Sequence, residues 1–422
     1  MNFFKRIVVI FLGATFLALA YQFGMDVAQQ GGLGPYWESR QKAAEIRSAL
    51  ELINAYYVDG DSAELDELTE SAIAGMIKDL DPYSEYLNFN RLKQLDEETS
   101  QEFGGIGVQV EMRNEFLTVI APIEGSPGER AGLVRGDRIV GVDGESIEGL
   151  NISKSVSELK GKPGTMVAIL IERRGVDERF EVEVIRELIE VDNVHGTELL
   201  ESGVGYLRIS QFGKRTGDEM ETAIESLLGQ GMEALVIDLR NNPGGLLDVA
   251  VEVVEEFVPA GQLVVYTKGR HEAMSEEWYA QAEGDPYAFP LVVLVNPGSA
   301  SASEIVAGAL KDSGRAKLVG AKTFGKGSVQ SILPLGADTG LKLTTAKYYT
   351  PGGYVIHENG IEPDVVIEIS TDDESHLATQ RSRLSTMPLE KFVERFGFEP
   401  IEDKQLNAAK ALMLEALEKL DR

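Results

Sequence analysis

Two short segments are apolar at every position: Ala234-Leu-Val-Ile followed by Asp238-Leu-Arg, and Leu291-Val-Val-Leu-Val. A half-exposed strand would alternate apolar and polar residues, so a continuous run demands burial on both faces. Each run is followed by an Asn-Pro-Gly-type turn, Asn241-Asn-Pro-Gly-Gly and Asn296-Pro-Gly, and then by helical spacing over 246–257 and 305–311. An amphipathic helix over 216–228 and a strand at Gly205-Tyr-Leu-Arg-Ile precede them. Strands alternating with helices predict a helix-covered, largely parallel sheet. This α/β core is expected over 188–370.

The segment before it has another rhythm. Val108 and Val110 alternate, as do Phe116, Thr118 and Ile120. Ser126-Pro-Gly turns into a short helix, Asp137 to Val142 reads as a strand ending in Asp143-Gly144, and Ile152, Val156 and Leu159 share one helix face. Strands at 166–172 and 179–184 close a β-rich module expected over 99–187. Its opening, Gly104-Gly-Ile-Gly-Val108, places flexible backbone just before a strand. Successive N–H groups there can nest a carboxylate, and an extended peptide can add to the strand. An ordinary glycine-rich turn is the plainer reading.

The N-terminus carries Lys5 and Arg6 and then about 14 residues, Ile7–Ala20, that are apolar but for Thr15. With Ala18-Leu-Ala20 behind it, residues 1–25 are expected to be an export signal or a membrane anchor. Residues 31–40, with Gly31, Gly32, Gly34 and Pro35, read as a linker. A helical N-terminal domain is expected over 36–98, broken at Asp81-Pro-Tyr-Ser84. A polar break at 370–374 and a helix from about 403 to 420 make up a tail, 371–422.

Composition narrows the chemistry. With 69 acidic against 40 basic residues the chain carries a net charge of −29, which opposes binding to nucleic acid or anionic lipid. There are no cysteines, and the four histidines, His195, His271, His357 and His376, form no metal-ligating spacing. Thiol chemistry and iron–sulfur clusters are excluded, and no metal or cofactor is expected.

Ser299-Ala-Ser301-Ala-Ser303-Glu304 sits at the turn from the second apolar run into its helix. A hydroxyl there could attack a carbonyl with a helix N-terminus ready for the oxyanion. Equally, a serine there could cap the helix, with Glu304 near a capping-box position. Without a suggestive histidine, lysine becomes the candidate base, although a solvated lysine in a turn is the plainer reading of Lys326. Lys326 lies between Gly325 and Gly327, where close backbone could bury its amine and lower its pKa. Gln330 is four residues on, on the same face of an extended segment, and has the groups to orient a neutral amine. A Gly amide of the 241–245 turn could supply a second oxyanion donor. Gly320-Ala-Lys-Thr-Phe-Gly-Lys-Gly327 nearly fits the phosphate-cradling motif, but its last position is not Ser or Thr and a strand-like segment follows.

The 99–187 module resembles a PDZ domain, and the ordered motifs resemble the carboxy-terminal-processing, or tail-specific, serine proteases. The motifs are Leu80-Asp-Pro-Tyr-Ser-Glu-Tyr-Leu87, Phe103-Gly-Gly-Ile-Gly-Val108, Asp238-Leu-Arg-Asn-Asn-Pro-Gly-Gly245, Asn296 to Glu304, Gly325-Lys-Gly-Ser-Val-Gln330 and Gly360-Ile-Glu-Pro-Asp364. The resemblance implies a multidomain α+β protein whose protease core is a crotonase-like α/β spiral. It implies Ser301 as nucleophile, Lys326 as base, Gln330 as its support, and the Gly245 and Ala302 amides as oxyanion hole. Gly105, Ile106, Gly107 and Val108 would bind the peptide. Lys160 stands where the family often has an Arg that senses the bound peptide. The expected partners are flexible apolar protein C-termini, with a homo-oligomer and an adaptor also in view, and the expected location is outside the cytoplasm. The competing reading is a non-catalytic PDZ scaffold on the same fold.

Overall fold

The computed structural model describes residues 34–420 except 101, 114, 124, 282–283, 337 and 385–386. The expected export segment lies outside the described residues. No described helix is long and apolar enough to cross a membrane. The chain forms two compact units, one ending at Tyr86 and the other beginning at Leu87.

The first unit is helical, with Gly34–Tyr56 and Leu65–Lys78. The expected linker is therefore helix from Gly34 onward. Pro35 does not oppose this, because the first turn of a helix needs no amide donor. The second helix ends at Lys78 with Asp79 as its C-cap, and Asp81 then builds an Asx turn, its Oδ1 accepting from the amides of Tyr83 at 2.7 Å and Ser84 at 2.8 Å.

In the second unit, a β-module contains an antiparallel sheet ordered Val108–Arg113, Phe116–Pro122, Arg138–Val142, Met166–Glu172, Phe180–Ile185. Alternation along these strands sends Leu117, Val119, Ile139, Val167, Ile169 and Ile171 into one core. The helix Ile152–Leu159 adds Leu159 to it, with Val156 packed alongside. Val108–Arg113 is an edge strand of this sheet, so one row of its backbone groups is open to pairing.

The α/β core is built on a sheet ordered Val194–Leu199, Val204–Ile209, Ala234–Asp238, Leu291–Val295, Lys317–Gly320, Val365–Val366. Every pairing after the first is parallel. The two apolar runs are its centre. Leu235, Ile237, Leu291, Val293 and Val295 pack with the helices Thr216–Gly229, Leu247–Glu255 and Ala302–Asp312. Ala234, Val236, Val292 and Leu294 point the other way, onto Ala409 and Met413 of the helix Lys404–Leu420. Burial on both faces is thus met by three helices on one side and the tail helix on the other.

The tail differs from expectation at its start. Residues 371–383 are a helix, with Ser370 as N-cap accepting from the Asp373 amide at 3.1 Å. The polar Thr-Asp-Asp-Glu run is its first turn, where carboxylates favour a helix N-terminus. A second helix, Leu389–Phe396, follows. A separate antiparallel sheet pairs Ser328–Pro334 with Gly340–Tyr349, and Gly340–Tyr349 with Leu263–Gly269.

Candidate active site

The loops that follow the parallel strands converge at the carboxyl edge of the sheet, where open α/β sheets place ligands. The loop after Ala234–Asp238 is pinned by Asn242. Its side-chain amide donates to Ile209 O at 2.9 Å and its Oδ1 accepts from the Gly244 amide at 2.9 Å. Gly244 and Gly245 hold φ of 105° and 148°. A Cβ on Gly245 would lie 2.2 Å from Phe212 O, and one on Gly244 would lie 2.7 Å from Ala300 O. These glycines let the loop lie directly against the serine turn.

The three serines of that turn have different surroundings. Ser299 Oγ donates to Leu239 O at 2.7 Å, and Ser303 Oγ donates to Asn242 O at 2.9 Å. Both residues are fully buried, so their hydroxyls fasten the turn to the neighbouring loop. Ser301 is half-buried and lines an open cavity. Its φ is +56°, a left-handed conformation that costs energy for a residue with a Cβ. It is also the N-cap of Ala302–Asp312, and Glu304 at the third helical position reaches back to its amide at 2.9 Å. The half-buried serine thus itself occupies the cap position.

Glu304 does more than cap. This fully buried carboxylate accepts from the Thr323 hydroxyl at 2.6 Å, the Gly325 amide at 2.7 Å and the Lys326 amide at 2.8 Å. Burial pushes its carboxyl above the usual range, against the pull of these four hydrogen bonds. The sequence pointed only to a cap, because partners some 20 residues away leave no local pattern.

The cavity, of about 590 Å³, is lined by Ser301, Lys326, Gln330 and Gly245, with Leu92, Leu95, Leu246, Leu247, Ile332, Lys342 and Tyr348 among the rest of its wall. Lys326 has its pKa lowered, first by burial and then by the positive charge of Lys342, while Glu304 acts the other way. Gln330 donates its amide nitrogen to Ser328 Oγ at 2.8 Å and to Thr344 Oγ1 at 3.3 Å. Among the described residues the amides of Gly245 and Ala302 have no hydrogen-bond acceptor.

Below this site, Asp238 and Arg240 form a buried ion pair at 2.7 Å. Arg240 also donates to Asp403 at 2.8 Å and to Gln405 at 3.1 Å. Burial alone would raise the Asp238 carboxyl, but Arg240 outweighs it and holds it at about 2. The tail thereby fixes the strand end that leads into the Asn242 loop. Asp238 at the strand end and Arg240 two residues on were visible in the sequence; Asp403 was not.

In the β-module, Gly104 and Gly105 pair with Leu188 and Glu187 in a small separate ladder. Of the expected nest, the amides of Ile106 and Gly107 have no acceptor among the described residues, with Gly107 at φ +69°. Val108 opens the edge strand. Lys160 sits with its ammonium 4.4 Å from the centre of the Phe103 ring. The helix end beside it is capped by Arg186, which donates to Leu159 O and Glu158 O at 3.0 Å each.

Residues 203–367 match the model of peptidase family S41, residues 118–173 that of the PDZ domain, and residues 24–90 that of the activating protease CtpB N-terminal domain. The carboxy-terminal-processing protease of Bartonella bacilliformis is 37% identical over 367 residues, spanning 86% of this chain and 83% of its own length. The chain belongs to the carboxy-terminal-processing proteases. Carboxy-terminal processing protease CtpA of Bacillus subtilis is 38% identical over 333 residues, 78% of this chain and 69% of that one. A solved photosystem II D1 C-terminal processing protease is 30% identical, covers 78% of this chain and 94% of its own, and superposes with a TM-score of 0.45. Like other carboxy-terminal-processing proteases, the protein is a serine peptidase with a PDZ domain.

Proposed function

We propose that the protein cuts peptide bonds with a Ser301–Lys326 dyad and selects its substrates by their flexible, apolar C-termini. The observation that carries this reading is the occupancy of one cavity by Ser301 and Lys326 while Ser299 and Ser303 spend their hydroxyls on backbone carbonyls. Burial and Lys342 lower the pKa of Lys326, so its neutral amine can take the Ser301 proton as Oγ attacks the substrate carbonyl. The Gly245 and Ala302 amides, without other acceptors, receive the tetrahedral oxyanion. Lys326 then returns the proton to the leaving amine, and water releases the acyl group. Gln330, whose nitrogen is committed to Ser328 and Thr344, keeps its carbonyl oxygen as an acceptor for the amine.

The substrate tail adds to the open edge at Val108–Arg113, its carboxylate received by the Ile106 and Gly107 amides. Residues 1–25 deliver the enzyme outside the cytoplasm by export, either released from the signal or held by it as an anchor. The expected division into 36–98, 99–187, 188–370 and 371–422 assigns recognition to the second of these and catalysis to the third.

Steady-state cleavage of an unstructured peptide by Ser301→Ala tests the reading. Loss of at least about 10⁴-fold in kcat with an unchanged thermal midpoint is expected. Cleavage at the wild-type rate would remove Ser301 from the chemistry.

A further inference from the structure

The cavity wall holds a second cation that the dyad chemistry does not use as a reactant. Lys342 lies on Gly340–Tyr349 opposite Ile332, and two residues on is Thr344, opposite Gln330. Alternate side chains of a strand share a face, so Ile332 and Lys342 continue the row begun by Gln330 and Thr344. That step is about 7 Å along the strand.

Among the described residues, Lys326 and Lys342 are the charged members of this wall, and no Asp or Glu lines the cavity. Among the described residues Lys342 makes no ion pair and no side-chain hydrogen bond. In a chain with 69 acidic residues against 40 basic ones, a carboxylate partner would be easy to supply. Leu92, Leu95, Leu246, Leu247 and Ile332 make much of the remaining wall apolar, which strengthens the field inside. The positive potential is left for whatever enters, and the negative groups of a peptide are its acidic side chains and its terminal carboxylate.

We propose that Lys342 is a specificity-determining residue that receives a carboxylate of the substrate chain inside the catalytic cavity, near the bond that is cut. The inference rests on the reading that Ser301 acts in this cavity. The carboxylate comes either from an Asp or Glu side chain flanking the scissile bond or from the terminus of a short tail lying just beyond it. The effect of Lys342 on Lys326 agrees with two amines sharing one space.

The test measures kcat/KM for wild type, Lys342→Gln and Lys342→Arg on two sets of otherwise identical peptides. One set carries Glu or Gln at each position flanking the cut. The other ends two or three residues beyond the cut as a free acid or an amide. Wild type should favour the carboxylate about fivefold in one set. Lys342→Arg should keep that ratio and Lys342→Gln should bring it towards one. Any preference arising at the PDZ edge is common to all three proteins and cancels in the comparison. The same ratio in wild type and Lys342→Gln, or no carboxylate preference in either set, overturns the proposal.

Calorimetric binding of the same pairs to Ser301→Ala, with and without Lys342→Gln, separates this inference from the dyad. A Lys342-dependent binding ratio supports the subsite whichever serine reacts, whereas cleavage by Ser301→Ala indicts the dyad alone.

Discussion

Lys326 and Ser301 hang from the same carboxylate oxygen: Glu304 Oε2 accepts the Lys326 amide at 2.8 Å and the Ser301 amide at 2.9 Å. The two loops are thereby tied through one buried carboxylate, together with the Phe324 amide's bond to Ser299 O at 3.0 Å, rather than through the side chains of Ser301 and Lys326. Ser301 can hold its left-handed backbone because this bond, the helix start and the Asn242 loop all constrain it.

Glu304→Gln is expected to abolish most activity and lower thermal stability. Each carboxylate oxygen faces two donors, so an amide nitrogen in either place would confront donors with a donor. Each buried donor left unpaired costs about 1–3 kcal/mol. Peptide cleavage together with a melting curve checks this. A Glu304→Gln enzyme with wild-type activity would show that the loops are held by something else.

The serines should separate stability from activity. Ser299→Ala and Ser303→Ala each remove a buried hydrogen bond to the Leu239 or Asn242 carbonyl, which keeps the Asn242 or Ala300 amide as donor. Ser299→Ala also strips the Asn296 amide of its acceptor, so the cost is about 1 kcal/mol for Ser303 and about 1–3 kcal/mol for Ser299. Both variants should unfold earlier in denaturant yet still cleave. Ser301→Ala should unfold normally and not cleave. Capping is not the cause of the first two losses, since neither hydroxyl caps the helix.

The fold was legible wherever a local period existed. Continuous apolar runs announced the central strands, because a strand covered on both faces has no polar side to show. Alternation announced the β-module. What stayed hidden was long-range. Nothing near Lys404–Leu420 says that Ala409 and Met413 cover the sheet, and Gly340–Tyr349 is marked by its partner strand rather than by its own residues. Pro35 and the glycines around it suggested a linker although proline suits a helix's first turn. At the site, Ser301, Lys326 and Gln330 stood in motifs, while Glu304 looked like a cap and Lys342 stood in no motif at all.

The Gly244–Gly245 loop gives a backbone prediction. Gly245→Ala would drive a Cβ to 2.2 Å from Phe212 O, and Gly244→Ala would place one 2.8 Å from Ser301 Cβ, both at φ values that suit glycine. Each should cost well over 1 kcal/mol and most of kcat, with the larger loss at Gly245. Kinetics on folded protein decides the point; an active Gly245→Ala enzyme would contradict the loop's assigned place.

The PDZ edge predicts tail recognition. A peptide ending in a free carboxylate should bind more tightly than its amide, because amidation removes the charge that the Ile106 and Gly107 amides are proposed to receive. Fluorescence anisotropy with the intact Ser301→Ala protein measures it. Equal affinities would sink carboxylate recognition at that edge.

Acidity tests the base. Lys326 has a lowered pKa, so the neutral amine appears below the usual lysine range and activity should climb as pH rises through that value. Between that value and about 10.4 the unfolded chain binds more protons at this residue than the folded one, so folding stability gains with pH over the same window. Lys326→Met should lose the activity and that part of the stability gain together. Lys342→Gln, which removes one cause of the shift, should move the activity limb to higher pH.

The central claim is that Ser301 forms the acyl-enzyme with Lys326 as its base, and the most direct measurement is mass mapping of protein quenched during turnover of an activated peptide ester. The account predicts an acyl adduct on Ser301 that accumulates faster as pH rises, and no adduct in Lys326→Met. An adduct on another residue, or an undiminished Ser301 adduct in Lys326→Met, would contradict it.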